Sequence, residues 1–542
     1  MDPLDLVGSW ASVMMDRASQ CRTRWLQARN IQDDSVRTAN LLVGTDCSGA
    51  DAPMFALEGL NIRVKQMFAC DVALHCLRFL DFRSVSRGQD PDLYSNMLKR
   101  DHESLKDINA YYCGFPCKPW STLNNFSKYF ESPDFLPFKE MITVMVTKRP
   151  GFAVFENVEG LLPFIEQVAW FFRDLKGYVV LYFRLCPTML GHSVRRQRVY
   201  FVALRKDLLI VDDTQSLCQL GQEILRVMHR PLQATLLERL LRPGHPLLET
   251  YKEPKPKCPA PRPPKLKRRL VVKTTVEKWR CEHKRIREEL RGQREAQCLD
   301  ANTDGWSERA KDVLQLAWDR HRKSDMCIDV SQSIQRSKIS FGGYIPCITP
   351  GACIYSVAAN RVISSVEVML LQGFPLHELE ERVPVSCSAL KKLAGNSMHV
   401  EAVGAASLVA LSLLCVADLN RGFKGDSSEC DEEEGVLLNM MDGAVVVPVS
   451  PELRPKIKES KNRVKSKKSK GRAAKAKAKA KAKAGAKAKA KARHKKIKRG
   501  SKSVQPKTLK TSKVWLKKKS QLKRSDSGWG RRMALHRAYS VY

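Results

Sequence analysis

From Asn40 to Leu204 the chain alternates short apolar runs with longer amphipathic stretches, and this rhythm restricts the possible fold more than any other feature. Leu41-Leu42-Val43, Lys65 to Cys70, Ala110 to Cys113, Phe152 to Phe155, Val179 to Leu185 and Val199 to Leu204 read as strands. Helix-like segments such as Ala73 to Phe82 and Phe138 to Lys148 lie between them. Strands alternating with helices predict an α/β fold built on a sheet of largely parallel strands. Such sheets bind ligands beyond the carboxyl ends of their strands, and the unusual residues of this chain fall at those ends.

Three segments carry candidate chemistry. Directly after one strand, Gly114-Phe115-Pro116 forms a turn that presents Cys117. Proline stiffens such a loop and glycine permits close approach, and a thiolate is a strong nucleophile once its surroundings lower its pKa. Taken alone, a Pro-Cys loop fits a half-buried structural cysteine equally well. In Phe152-Ala153-Val154-Phe155-Glu156-Asn157-Val158 a buried strand ends in an acid. A carboxyl desolvated there holds its proton and donates it to a ring nitrogen; an acid opening a helix before Gly160 is the plainer alternative. In Gly191-His192-Ser193-Val194-Arg195-Arg196-Gln197-Arg198 the arginines at 196 and 198 enter a strand with the spacing that puts side chains on one face. A solvated edge strand or a phosphate-contacting patch has the same pattern.

In this order, the three segments resemble the Pro-Cys, Glu-Asn-Val and Gln-x-Arg-x-Arg motifs of the DNA cytosine-C5 methyltransferase family. Asp46-Cys47-Ser48-Gly49 is similar to that family's cofactor loop, and Phe68-Ala69-Cys70-Asp71 to its second-strand acid. Leu371-Gln372-Gly373-Phe374-Pro375 and Ala394-Gly395-Asn396-Ser397-Met398 are similar to its late motifs. The likeness covers about 41–204 and 345–414. It implies a Rossmann-like S-adenosylmethionine-dependent methyltransferase domain that methylates C5 of a flipped cytosine. It also implies roles: Cys117 as nucleophile, Glu156 on the base, Arg196 and Arg198 positioning base and loop, and Asn157 anchoring the loop. Asp46, Ser48, Gly49, Asp71, Asp101 and Asn396 would contact S-adenosylmethionine, Asp71 at the ribose and Asp101 at the adenine. The chain departs from the family pattern at Thr45, Asp51-Ala52, Lys118 and Val194, where Asp, a glycine pair, Gln and Gln are usual. A tRNA cytosine methyltransferase and a non-catalytic DNA-binding protein that kept the fold are the two alternatives.

The formal charge of +37 is concentrated at one end. From Lys456 to Tyr542 there are 34 Lys and Arg against two acids, Glu459 and Asp526, which leaves only +5 on residues 1–455. Lys475 to Lys491 alternates Lys with Ala, a composition that builds no core and resembles linker-histone tails. It predicts a disordered polycation that contacts DNA phosphates and weakens with salt, and clusters such as Lys465 to Lys470 and Arg493 to Arg499 predict a nuclear address. The 17 cysteines have neither disulfide-scaffold nor metal-ligand spacing, so no metal and reduced thiols are expected. Residues Met1 to Arg22 lack a secretory pattern, and no run of about 18 apolar residues predicts a membrane span.

The expected organisation is a helical N-terminal extension at 1–38, a catalytic cofactor-binding part at 39–204 and a target-recognition region inserted at 205–344. The rest of the methyltransferase domain follows at 345–418, then an acidic linker at 419–450 and the basic tail at 451–542. Within these parts, Leu208 to Leu241 reads as helical, Glu253 to Pro264 as a linker and Asp426 to Glu434 as an acidic loop. Thr275 to Cys298, which contains Trp279, reads as a charged helix suited to phosphate and groove contacts, and Ala402 to Ala417 as a buried helix.

Overall fold

The computed structural model describes residues 6–121, 129–252, 266–291 and 299–447, except 302, 304, 337, 422–432 and 441–444. The Glu253 to Pro264 linker, most of the acidic loop and the Lys/Ala-rich tail lie outside the described residues. In chain order, the first strands are β1 (Asn40–Asp46), β2 (Arg63–Cys70), β3 (Asp92–Tyr94), β4 (Ala110–Cys113), β5 (Phe152–Val158), β6 (Tyr178–Leu185) and β7 (Arg198–Arg205). Then come β8 (Cys327–Asp329), β9 (Ile339–Ser340), β10 (Ile354–Ser356), β11 (Arg361–Val362), β12 (Val436–Asn439) and β13 (Val445–Val446). Nine strands form the main sheet in the order β13-β12-β6-β7-β5-β4-β1-β2-β3. Pairing is parallel from β5 to β3 and between β6 and β12, whereas β7 runs antiparallel to both β5 and β6, and β13 to β12.

Side chains alternate between two apolar layers. Ala110 and Tyr112 of β4 face one, with Phe152 and Val154 of β5; Tyr111, Cys113, Ala153 and Phe155 face the other. Because both faces are covered, the strands read in sequence as unbroken apolar runs. One layer holds α1 (Leu6–Gln27), α2 (Ala52–Gly59), α3 (Leu74–Ser86) and the helix Val400–Ser412, and the other holds α4 (Leu136–Lys148) and α5 (Ile165–Phe172). A further helix, α6 (Thr214–Met228), joins the first layer.

Several expectations change. The N-terminal helix is no extension: Trp10, Met14 and Trp25 of α1 are buried in the main core. The Trp10 ring fills a notch at two glycines, where a Cβ on Gly59 or Gly404 would lie 3.4 Å or 3.0 Å from it. Arg22 of α1 is 1% exposed, donates to the carbonyls of Leu411 (2.9 Å) and Leu414 (2.8 Å), and pairs with Asp33 and Asp34. Part of the acidic linker supplies β12 and β13 to the main sheet, because Leu437 and Leu438 each face one apolar layer. The Leu208 to Leu241 stretch is helical only at α6 and Leu236–Arg239. Asp213 caps the start of α6 by accepting from Ser216 N–H at 2.7 Å, and the extended residues before Pro231 end it. The charged helix starts earlier, at Leu266, and runs to Arg291; Ala402 to Ala417 is split between Val400–Ser412 and Val416–Arg421.

A second sheet, in the order β11-β10-β8-β9, packs with the helix Glu308–His321 around its own core of Val313, Leu316, Met326, Ile328 and Tyr355. Ile286 of the helix Leu266–Arg291 reaches the same core. The connection from β9 to β10 leaves this sheet, and Ile345 forms a parallel bridge with Val194 beside the main sheet. No helix among the described residues is long and apolar enough to cross a membrane.

Candidate active site

Strand β4 delivers Gly114 to the carboxyl edge of the sheet, and the following loop is pinned on both sides of Cys117. Before it, Asn157 Nδ2 donates to the Phe115 carbonyl at 3.0 Å, and the Phe115 ring packs edge-on against Phe138 with centroids 5.0 Å apart. After it, the N–H groups of Trp120 and Ser121 donate to the Cys117 carbonyl at 3.0 and 2.9 Å, while the Trp120 ring is buried against Phe130 and Phe135. Cys117 is left exposed between these anchors. Gly114 is needed for passage: a Cβ there would lie 3.2 Å from Met398 Cε and 3.9 Å from Glu156 Oε2.

The antiparallel course of β7 assembles the rest. Its first residue, Arg198, is opposite Val158 at the end of β5, and Tyr200 is opposite Glu156. The Arg198 Nε therefore reaches Glu156 Oε1, forming a buried ion pair at 2.8 Å. The N–H is not aligned for a hydrogen bond, so Glu156 Oε1 is a buried acceptor with no hydrogen-bond donor among the described residues. Although Cys117 as a residue is exposed, protein packed around its sulfur pushes the thiol pKa above its ordinary value, and the Glu156 carboxylate adds to this; Arg198 and Arg196 pull it back down. Thiol, carboxylate and guanidinium thus share one electrostatic environment.

The two arginines divide their work. Arg196, 4% exposed, is committed to backbone: it donates to the carbonyls of Ile348 (3.1 Å), Gly395 (3.4 Å) and Ser397 (2.6 Å). It braces the late motif, and Arg198 is the arginine that meets Glu156.

Beside Gly114 lies a small, partly open cleft lined by Asp46, Cys47, Ser48, Tyr112, Gly114, Asn396 and Met398 among others. It lies beyond the carboxyl ends of β1 and β4. The loop after β1 bends sharply, with φ of 49° at Cys47, 55° at Gly49 and 60° at Asp51. Above Gly49 a Cβ would meet only the Cys47 carbonyl, at 4.0 Å, so the loop leaves room for a close ligand. Asp71 directly follows β2 and accepts from the N–H groups of Gly49 (3.0 Å) and Ala73 (2.8 Å). A carboxylate oxygen accepts more than one hydrogen bond, so Asp71 has capacity left for a hydroxyl. Val72 and Leu74 beside it are 75% and 62% exposed, an apolar surface suited to a flat ring. This donor set, with an apolar surface beside it, fits S-adenosylmethionine.

Two expected contacts are differently employed. The Asp46 carboxylate faces inward, held by both terminal nitrogens of Arg100 (2.8 and 2.5 Å) and by the Tyr111 hydroxyl (2.7 Å), leaving its backbone for the cleft. Asp101 is exposed, accepts from Glu103 N–H at 3.1 Å, and is not among the residues lining the cleft. The Ser48 hydroxyl ties β1 to β2 through Cys70 N–H (3.0 Å) and the Thr45 carbonyl (3.0 Å). Where the family usually has glycine, Asp51 is buried beneath the loop against Gln66 (2.9 Å) and Arg87 (3.6 Å). The sequence reading overlooked Arg100 and Cys347, whose partners lie 54 and 149 residues away, too far for any local pattern to flag.

The sequence profile of the C-5 cytosine-specific DNA methylase family matches residues 91–407, more than half of the chain. A DNA (cytosine-5-)-methyltransferase DMT5 from Cryptococcus neoformans is 24% identical over 423 residues, which is 69% of this chain but 17% of the fungal protein. The DMT5 of Verticillium dahliae is 30% identical over 115 residues, 20% of this chain and 5% of that protein. The chain therefore spans less than a fifth of the length of these relatives. Among solved structures, the S. pombe Dnmt2 methyltransferase superposes with a TM-score of 0.37 and 16% identity, covering 68% of this chain and 96% of that one. With a profile match that spans the Cys117 loop, the Glu156 strand and the late motif, the chain belongs to the C-5 cytosine-specific DNA methylase family.

Proposed function

We propose that this chain is a DNA cytosine-C5 methyltransferase that attacks a flipped cytosine through Cys117. The carrying observation is the buried pairing of Glu156 Oε1 with Arg198 in the electrostatic surroundings of the Cys117 thiol, with the other carboxylate oxygen, Oε2, on the Gly114 side. A cytosine ring entering over Gly114 would meet the Glu156 carboxylate from the side of its Oε2, which faces Gly114, while Arg198 holds Oε1. Holding the base there brings C6 toward the sulfur of Cys117, and addition of the thiolate at C6 makes C5 electron-rich. Glu156 restrains the ring through N3 and the amino group, and Arg198 holds Glu156 in place and supports the thiolate electrostatically. Asn157 keeps the loop at its height. Bound S-adenosylmethionine supplies the electrophilic methyl group. Asp71, Gly49, Ser48 and Asn396 would hold it, with Val72 and Leu74 offering the apolar face.

The β8–β11 sheet with its two helices is the proposed target-recognition element, and the Lys/Ala-rich segment the proposed second DNA contact and nuclear address. A duplex carrying 5-fluorocytosine tests the reading: with S-adenosylmethionine present, wild type forms a covalent adduct and Cys117→Ser forms none while retaining DNA binding. No adduct with a wild type that binds cofactor would overturn catalysis in favour of a scaffold role. Transfer of labelled methyl groups to tRNA alone would overturn the DNA assignment.

A further inference from the structure

The connection from β9 to β10 touches both halves of the site. It leaves the second sheet after Ser340 and docks on the catalytic body through Ile345, whose N–H donates to the Ser193 carbonyl (2.9 Å) and whose carbonyl accepts from Arg195 N–H (3.1 Å). It returns to its sheet at Ile354. At the point of docking it places the Cys347 sulfur 3.7 Å from Arg198 Nη2 and 3.9 Å from Arg196 Nη1.

Arg198 is thereby held on three sides. Its Nε faces Glu156 at 2.8 Å, its Nη1 donates to the Gln197 carbonyl at 2.7 Å, and its Nη2 faces the Cys347 sulfur. A guanidinium is a planar fork, so fixing one terminal nitrogen fixes the direction of the others. We propose that Cys347 is a positioning residue for methyl transfer, holding Arg198 against Glu156 and tying that pair to the second sheet. The inference rests on the function proposed above. Burial opposes a charge on Cys347, but Arg198, Arg196 and Lys338 outweigh it and hold the thiol below its usual pKa, which strengthens the contact. Thr349 and Pro350 of the same connection pack on Gly395 beside the cleft, so one segment borders both the base side and the cofactor side.

The test compares wild type, Cys347→Ala, Cys347→Ser, Arg198→Ala and the Cys347→Ala/Arg198→Ala double variant in the full chain, with kcat and KM for duplex DNA. Cys347→Ala is expected to lower kcat about tenfold, the scale of one charge-assisted hydrogen bond, with KM little changed. Cys347→Ser keeps an acceptor and restores most of kcat. If the thiol acts through Arg198, the double variant is no slower than Arg198→Ala alone. Unchanged kcat in Cys347→Ala, a loss confined to KM, losses that multiply, or serine as poor as alanine would each overturn the proposal. A second readout needs no turnover: iodoacetamide labelling of Cys347, mapped by mass spectrometry, is expected to slow about fivefold or more in Arg198→Ala as the thiolate loses its partner. Equal labelling rates refute the contact. A wild type that transfers no methyl group refutes the proposed function instead.

Discussion

Two glycines at the site face different obstacles, and replacing each by alanine separates packing from chemistry. Gly395 lies near the end of the helix Cys387–Asn396, and a Cβ there would sit 2.3 Å from Pro350 N, 2.4 Å from Thr349 C and 2.6 Å from Pro350 Cα. All three are backbone atoms, so more than an ångström of separation must be opened by moving the β9–β10 connection. Forced overpacking costs about 3 kcal/mol at the upper end of its usual range, and removing a glycine from a helix returns about 1 kcal/mol. The net loss is about 2 kcal/mol. At Gly114 the nearest obstacle is Met398 Cε at 3.2 Å, the free end of a flexible side chain, so the stability cost should stay under about 1 kcal/mol. That Cβ nevertheless enters the space between Met398 and Glu156. Gly395→Ala is therefore expected to lower the melting temperature by about 2 °C and to weaken S-adenosylmethionine binding measured calorimetrically, because Asn396 and Met398 move with it. Gly114→Ala is expected to melt close to wild type yet lose methyl transfer. A Gly395→Ala protein that melts and binds cofactor like wild type would show that Thr349–Pro350 is not seated on this helix.

Glu156→Gln should move two measurements in opposite directions: methyl transfer falls by about 10²–10³-fold with loss of the charged base contact, while alkylation of Cys117 speeds up because one influence raising its pKa is gone. Equal directions would break the link between them. Burial lifts the Asp51 carboxyl to about 6, against the pull of Arg87 and Gln66. With the folded pKa above the unfolded one, its contribution is most favourable below about pH 4 and is lost as pH rises toward about 6. Asp51→Asn should thus compare better with wild type at pH 7 than at pH 4.5, by about 1–3 kcal/mol in urea unfolding, and a difference independent of pH would contradict this. Arg22→Met removes the cation paired with Asp33 and Asp34 and the donor to the Leu411 and Leu414 carbonyls. A loss of about 3–5 kcal/mol is expected, read from the urea midpoint; an unchanged midpoint would rule out the brace.

The strands of the main sheet were legible because burial on both faces writes itself as consecutive apolar residues, and so was the placement of Cys117 in the loop after β4 and of Glu156 and Asn157 at the end of β5. Strand direction was not. Nothing in Val199 to Leu204 separates an antiparallel strand from a parallel one, yet that reversal lets Arg198 meet Glu156. Arg196 and Arg198 look equivalent in sequence; only the carbonyls of Ile348, Gly395 and Ser397, supplied from far along the chain, make one a brace. An acid at Asp46 after an apolar run looks like a ligand until Arg100 is seen to occupy it. Val436-Leu437-Leu438 is too short a run, next to acidic residues, to be read as a strand, and only pairing with β6 gives it that role.

The seating of α1 has a consequence for biosynthesis. Trp10 waits for a notch half formed by Gly404, Arg22 for the carbonyls of Leu411 and Leu414, and β6 for a neighbour that begins at Val436. The helix α1 is therefore synthesised well ahead of the carbonyls it docks on, 389 and 392 residues further along the chain, and until they emerge its apolar face is open to chaperones. A nascent chain halted before residue 400 should stay protease-sensitive at α1, and one released past residue 440 should not.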